Sequence, residues 1–350
     1  MKGTLFRRQR GLTLIEIMIA VTLGLILTAG IIQIFVGSKR TYHATEGLAR
    51  MQENGRFITD VIAHDLRHVL YRGCVDPNNP ANTAYISTVV TDPFDPPIVG
   101  YDNSGTLPAG AVAGTDAVTV RFAEPRGIPL KSAMADEYGD ITVASDRGLS
   151  AGDVAIIADC VQADVFTITD VIDNGSSTFV IKHDAVFDGD TVNQNPNKAD
   201  NGSGVTPLSK AYGTDAQLMI LRDRTYFVRN TGRTAIDGTP ILALARRSGG
   251  QVEDLIEGVA NLQILYGERL ANGNVRFVPA GTSGLDMNKV AAVQVGILLQ
   301  TVEAVGEPSA ANQTFTIAGT SVTVPAGDRR LWRAFNVTTR LRNQLPENQL

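Results

Sequence analysis

One apolar run near the start of the chain limits its possible folds more than any other feature. Residues 12–36 read LTLIEIMIAVTLGLILTAGIIQIFV, broken by Thr13, Glu16, Thr22, Thr28 and Gln33. Wound as a helix, the run is roughly 37 Å long, enough to cross a bilayer. Lys2, Arg7, Arg8 and Arg10 precede it with no acidic residue among them. A basic flank of this kind stays in the cytoplasm and sends the downstream chain across the membrane. The run is long for the apolar part of a secretory signal, and no A-x-A cleavage site comes after it.

Glu16 does not fit a plain membrane anchor. A carboxylate in hydrocarbon costs about 2.5–3.5 kcal/mol on insertion scales, so it normally has a partner. A cut after Gly11 would create such a partner. The amine of Leu12 becomes the new terminus, and Glu16 becomes the fifth residue of the mature chain. The amine of one subunit and the carboxylate of its neighbour then pair, setting axial register among packed helices, because each charge is costly when unmatched.

Beyond residue 36 the helical pattern continues in amphipathic form. Ala44, Leu48, Met51, Gly55, Ile58, Ile62, Leu66 and Val69 recur at three- and four-residue steps. Arg50, Glu53, Arg56, Asp60, His64 and Arg67 fall mainly off that stripe, and Gly47 and Gly55 interrupt it. A helix from residue 12 to about 71 is roughly 90 Å long. Its first half packs among other helices or lipid, and its second half docks on a globular head.

The sequence G-L-T-L-I-E, with a basic leader before it and an apolar helix after it, resembles the class III signal of type IV pilins and type II secretion pseudopilins. The resemblance implies that a prepilin peptidase cuts after Gly11 and methylates Leu12. It also implies that Glu16 serves in assembly. Leu12 stands where Phe is commoner. No Pro bends the helix, and Gly24, Gly30 and Gly37 are its weak points. Further stretches resemble the PilW family of minor pilins: YRGC at 71–74, GDVAIIADC at 152–160, YFVRN at 226–230, EDLIEGVANLQILYG at 253–267, VAAVQVGILLQ at 290–300 and FNVTTRLRN at 335–343.

The rest of the chain reads as a β-rich head. Segment 76–114 is rich in Pro, Asn, Asp and Gly and reads as irregular, with a short strand at 84–90; segment 186–210 is irregular too. Strands are expected at 117–122, 140–145, 153–159, 217–230, 240–247, 262–268, 275–279, 290–303 and 332–343. FTITDVI and TFVIKH flank DNGSS as a hairpin, with Asn174-Gly175 supplying positive φ. VEDLIEGV, 252–259, reads as a short helix. The fold class is α+β, a long helix packed on a mainly antiparallel head. The organisation is a leader at 1–11, a filament-core helix at 12–36, an amphipathic helix at 37–72 and the head at 73–350.

Two cysteines, Cys74 and Cys160, are present. An exported head lies in an oxidising compartment, where they are expected to pair and tie the helix end to a strand. Closing a loop of about 87 residues is worth roughly 4–5 kcal/mol in the chain-entropy model. His64-Asp-Leu-Arg-His68 copies the His spacing of a zinc-protease helix, but Asp65 replaces the general base and no third ligand is evident; a polar helix face is the preferred reading. Segment 187–204 collects Asp188, Asp190, Asn193, Asp200 and Asn201, oxygen ligands that suit calcium, but a solvated loop is preferred.

No nucleophile–base set, P-loop or dinucleotide fingerprint stands out, so neither an enzyme nor a bound cofactor or metal is expected. The net charge of −5 gives no support for direct nucleic-acid binding. The expected protein is a PilW-like minor pilin. It resides in the inner membrane with a single pass and a periplasmic head, then moves into a surface pilus. Through its N-terminal helix it packs with the major pilin and other minor pilins. The resemblance implies a place in a tip complex that initiates assembly and supports a PilY-type adhesin. The alternatives are a J-like type II secretion pseudopilin and a membrane-anchored periplasmic enzyme.

Overall fold

A computed structural model describes residues 13–343, apart from 77, 78, 91 and 104. Its first element is a single helix, Leu14–His68, of 55 residues, roughly 82 Å long. Every residue from 13 to 43 is exposed. This is the one described helix long and apolar enough to cross a membrane.

From Met51 onward the helix lies on the head. It buries Met51, Gly55, Ile58, Ile62, Ala63, Asp65 and Leu66. The expected stripe is there from Met51 on, but Ala44 is half-buried, Leu48 is exposed, and Ala63 and Asp65 are buried in addition. The helix ends at His68, three residues before Tyr71. Val69 caps it, and Leu70 takes the left-handed conformation with φ 64°. The Leu70 N–H then donates to the Arg121 carbonyl, 3.1 Å away, and joins the chain to the sheet.

The two glycines that break the stripe mark close approach to the head. A Cβ on Gly47 would lie 3.0 Å from Cγ2 of Thr301, and one on Gly55 only 2.2 Å from Cζ of Phe335. Gly55→Ala gains about 1 kcal/mol of helix propensity but forces the Phe335 ring out of its place, and overpacking of that kind costs about 1–3 kcal/mol. We expect a net loss of stability in urea melts, recovered when Phe335→Leu is added.

Among the described residues the strands form a nine-stranded sheet, a four-stranded sheet and three small ones. The 18-residue strand Gln217–Thr234 organises the large sheet. Its first residues pair with Val154–Ala158, and the next with Ala117–Ala123. Its second half also pairs with Pro240–Ser248, which pairs in turn with Gln251–Glu257. All of these pairs are antiparallel; Thr83–Tyr85 and Ala163–Thr167 are parallel. The four-stranded sheet runs in the order Val275–Val278, Val259–Arg269, Val290–Gln300, Trp332–Arg340.

Residues 252–259 are extended, and the expected short helix is absent: Gln251–Glu257 is a strand. Val252, Leu255, Ile256 and Val259 do have helical spacing, but tertiary pairing overrides it. Glu253 pairs with Arg246 on the adjacent strand, and Asp254 with Arg229 and Glu257 with Arg233 on the strand beyond it. Gly258, with φ 80°, then carries the chain from the large sheet into the smaller one. A Cβ there would lie 2.4 Å from the carbonyl oxygen of Gln300.

The main core joins the helix to both sheets, through Ile58, Ile62, Leu66, Val120, Tyr226, Leu262, Val295 and Ile297. A second core fills the lobe that includes Ile86, Ile157, Phe166, Ile181 and Leu218. Asp116 helps to join the two sheets. Its carboxylate accepts from the N–H of Asn103 at 3.0 Å and of Ile264 at 2.7 Å. Burial outweighs those bonds and pushes the carboxyl up to about 6. The protonated form therefore suits the fold best. The resulting stability is fully present below about 4 and lost as pH rises through about 6. A carboxyl 13C titration should place Asp116 near 6; an ordinary value near 4 would contradict its desolvation.

Cys74 and Cys160 form a disulfide with Cα atoms 4.8 Å apart. It ties the segment after the helix to the end of the strand Val154–Ala158. Replacing both cysteines by serine should cost about 2–5 kcal/mol, read as a lower urea midpoint for the purified chain.

Candidate functional site

The functional surface arises from the helix and from how the head holds it. Gly11 and Leu12 lie outside the described residues. Thr13 is the N-cap of the helix and Glu16 its N3 residue, and together they form a capping box. The Thr13 N–H and hydroxyl both donate to Oε2 of Glu16, each at 2.9 Å. The Thr13 hydroxyl also accepts from the Glu16 N–H at 3.4 Å. Both bonds to the carboxylate fall on Oε2. Thr13 and Glu16 thus start the helix by local chemistry, which holds the carboxylate at the helix start.

Along the next turns Leu14, Ile15, Met18, Leu25, Ile26, Leu27, Ile34 and Phe35 are all more than half exposed. Thr22 and Thr28 turn their hydroxyls back to the carbonyls of Met18 and Gly24, which leaves a mainly apolar surface beyond Glu16, broken by Gln33. Such a surface is stable in lipid or among similar helices and unstable in water.

The distal end of the helix is fixed by a buried polar cluster. Asp65 is 2% exposed. One guanidinium nitrogen of Arg224 donates to both of its oxygens, at 2.9 and 3.0 Å, and the Tyr226 hydroxyl donates to Oδ2 at 2.5 Å. Arg224 also donates to Glu124 at 3.0 Å and lies over the Phe122 ring. Burial together with the neighbouring Asp65 carboxylate pushes the Tyr226 phenol upward, so it stays protonated as a donor. The sequence alone presents Asp65 only as a poor general base. Its place in the apolar stripe was the available signal that it is buried.

The remaining polar candidates do not converge. Among the described residues no three His, Cys, Asp or Glu side chains gather as a metal site. In segment 187–204, Asn193 is buried and bonds to the backbone of Thr167 and Asp184. Asp200 and Asn201 accept from the nearby N–H groups of Gly202 and Ser203. Loop closure occupies these oxygens.

The chain thus presents an exposed apolar helix, capped at its start and locked onto a β-rich head by its far half. Residues 6–32 match the prokaryotic N-terminal methylation motif. Residues 225–343, which hold the four-stranded sheet and the strands leading into it, match Type IV Pilus-assembly protein W. The two matches together support a PilW-family type IV minor pilin, a membrane-anchored subunit that is assembled into a pilus. No curated protein and no solved structure matches the chain. The family matches point to a structural component of the pilus.

Proposed function

We propose that this minor pilin is inserted in the inner membrane with its head in the periplasm, cut between Gly11 and Leu12 and methylated on Leu12. Its exposed helix then enters the filament core. There Glu16 meets the terminal amine of a neighbouring subunit. The observation that carries this reading is the placement of Glu16: the one charged side chain in the apolar stretch 13–36, held at the helix start by Thr13. The match to Type IV Pilus-assembly protein W favours a place in a tip complex that initiates assembly with other minor pilins. The β-rich head there offers surface for a PilY-type adhesin.

Processing can be tested apart from assembly. Co-expression with a prepilin peptidase should remove residues 1–11, seen by intact-mass measurement of the membrane fraction. Gly11→Val should block the cut. Failure of the wild-type chain to be shortened would overturn this reading.

A further inference from the structure

We propose that His64 and His68 form a two-imidazole chelate for a divalent transition-metal ion at the end of the long helix. The two residues are one helical turn apart on the same face, and their ring centroids are 4.4 Å from each other. Their hydrogen bonds settle the tautomers. Nδ1 of His68 lies 2.8 Å from the carbonyl oxygen of His64, which can only accept, so Nδ1 carries the proton. Nδ1 of His64 lies 3.2 Å from Oδ1 of Asp65, a carboxylate oxygen that also accepts. In each neutral ring the free lone pair is therefore on Nε2. A backbone carbonyl behind one imidazole and a carboxylate behind the other is the outer shell that fixes metal-ligating histidines.

The surroundings hold both rings in place. Asp65 is locked by Arg224 and Tyr226. The His68 ring leans on Phe122 and on the edge of Tyr71. The His64 side chain is 58% exposed, so an ion has access. Two imidazoles suit Zn²⁺, Ni²⁺ and Cu²⁺, with Cu²⁺ the tightest. The Asp65 carboxylate points into the head and is already bonded, so the site lacks the general base of a hydrolase. Two protein ligands leave the other positions to water. A bound ion would cross-link the last turn of the helix, where fraying starts, and would stabilise the joint between helix and head. The chelate does not depend on how the N-terminus is processed.

The test uses the full untagged chain in detergent, stripped with chelator and titrated with ZnCl2 by calorimetry. The expected result is one Zn²⁺ per chain. Affinity should fall at least about tenfold in His64→Ala and again in His68→Ala, and remain unchanged in His43→Ala. The exposed His64 ring makes His64→Ala safe for the fold. With Cu²⁺, the electron paramagnetic resonance spectrum should show two imidazole nitrogens in the wild type and one in His64→Ala. No binding at millimolar Zn²⁺, or equal binding by wild type and His64→Ala, would overturn the proposal.

Discussion

Glu16→Val is expected to remove this subunit from surface filaments while leaving it in the membrane. The substitution takes a carboxylate out of a helix destined for hydrocarbon, which relieves about 2.5–3.5 kcal/mol on insertion scales. Insertion should therefore be unharmed. On the proposed pairing, assembly differs, because a neighbour's terminal amine would lose its counter-charge in a medium where an unpaired ion is strongly disfavoured. The variant also loses its capping box, since Oε2 of Glu16 holds both the N–H and the hydroxyl of Thr13. Loss of a cap costs about 1 kcal/mol, too little to unfold a helix of 55 residues. Quantitative blots of sheared filaments should show at least a tenfold drop relative to the membrane fraction. Glu16→Gln keeps the helix start polar and should fail similarly if charge pairing is the cause. Normal incorporation of Glu16→Val would show that helix packing alone recruits the subunit.

Asp65→Ala should destabilise the head by about 3 kcal/mol or more, in the range for breaking a buried ion pair by removing one partner. It strands the guanidinium of Arg224, whose side chain is only 15% exposed, with Glu124 as its remaining carboxylate. It also leaves the Tyr226 hydroxyl without its acceptor. The double variant Asp65→Ala/Arg224→Met should recover part of the loss, because no buried charge is then left unpaired. A double-mutant cycle from urea midpoints measures that coupling. Additive losses would mean that the cluster contributes through packing alone. Loosening this joint should release the distal half of the helix from the head, visible as faster amide exchange in residues 58–68.

The long helix was legible because its signals are local. A basic leader, an apolar run and a stripe at helical spacing all lie in consecutive residues. Strands such as Ala117–Ala123 and Trp332–Arg340 were legible for the same reason. The hairpin Gln313–Ile317 with Thr320–Val324 was missed, although Phe315, Ile317, Val322 and Val324 alternate with Thr314, Thr316, Ser321 and Thr323. It is held from outside, by Asn336 accepting the Ala318 N–H at 2.7 Å and donating to the Thr316 carbonyl. Strand Ile98–Tyr101 was hidden in a Pro- and Asp-rich segment and forms because Ala117–Ala123 offers it an edge. The apparent helix at 252–259 was decided by cross-strand ion pairs and by Gly258, which a linear reading does not expose. For the site, the start of the helix could be read directly. The Asp65–Arg224–Tyr226 cluster could not, because its members are about 160 residues apart along the chain.

Assembly of this chain into a pilus is tested most directly by mass spectrometry of filaments sheared from the cell surface, reading the subunit's N-terminal peptide and the proteins that accompany it. The expected peptide begins at methylated Leu12 and is recovered with a major pilin. An intact Met1 terminus found only in the membrane fraction would contradict assembly through a processed N-terminal helix.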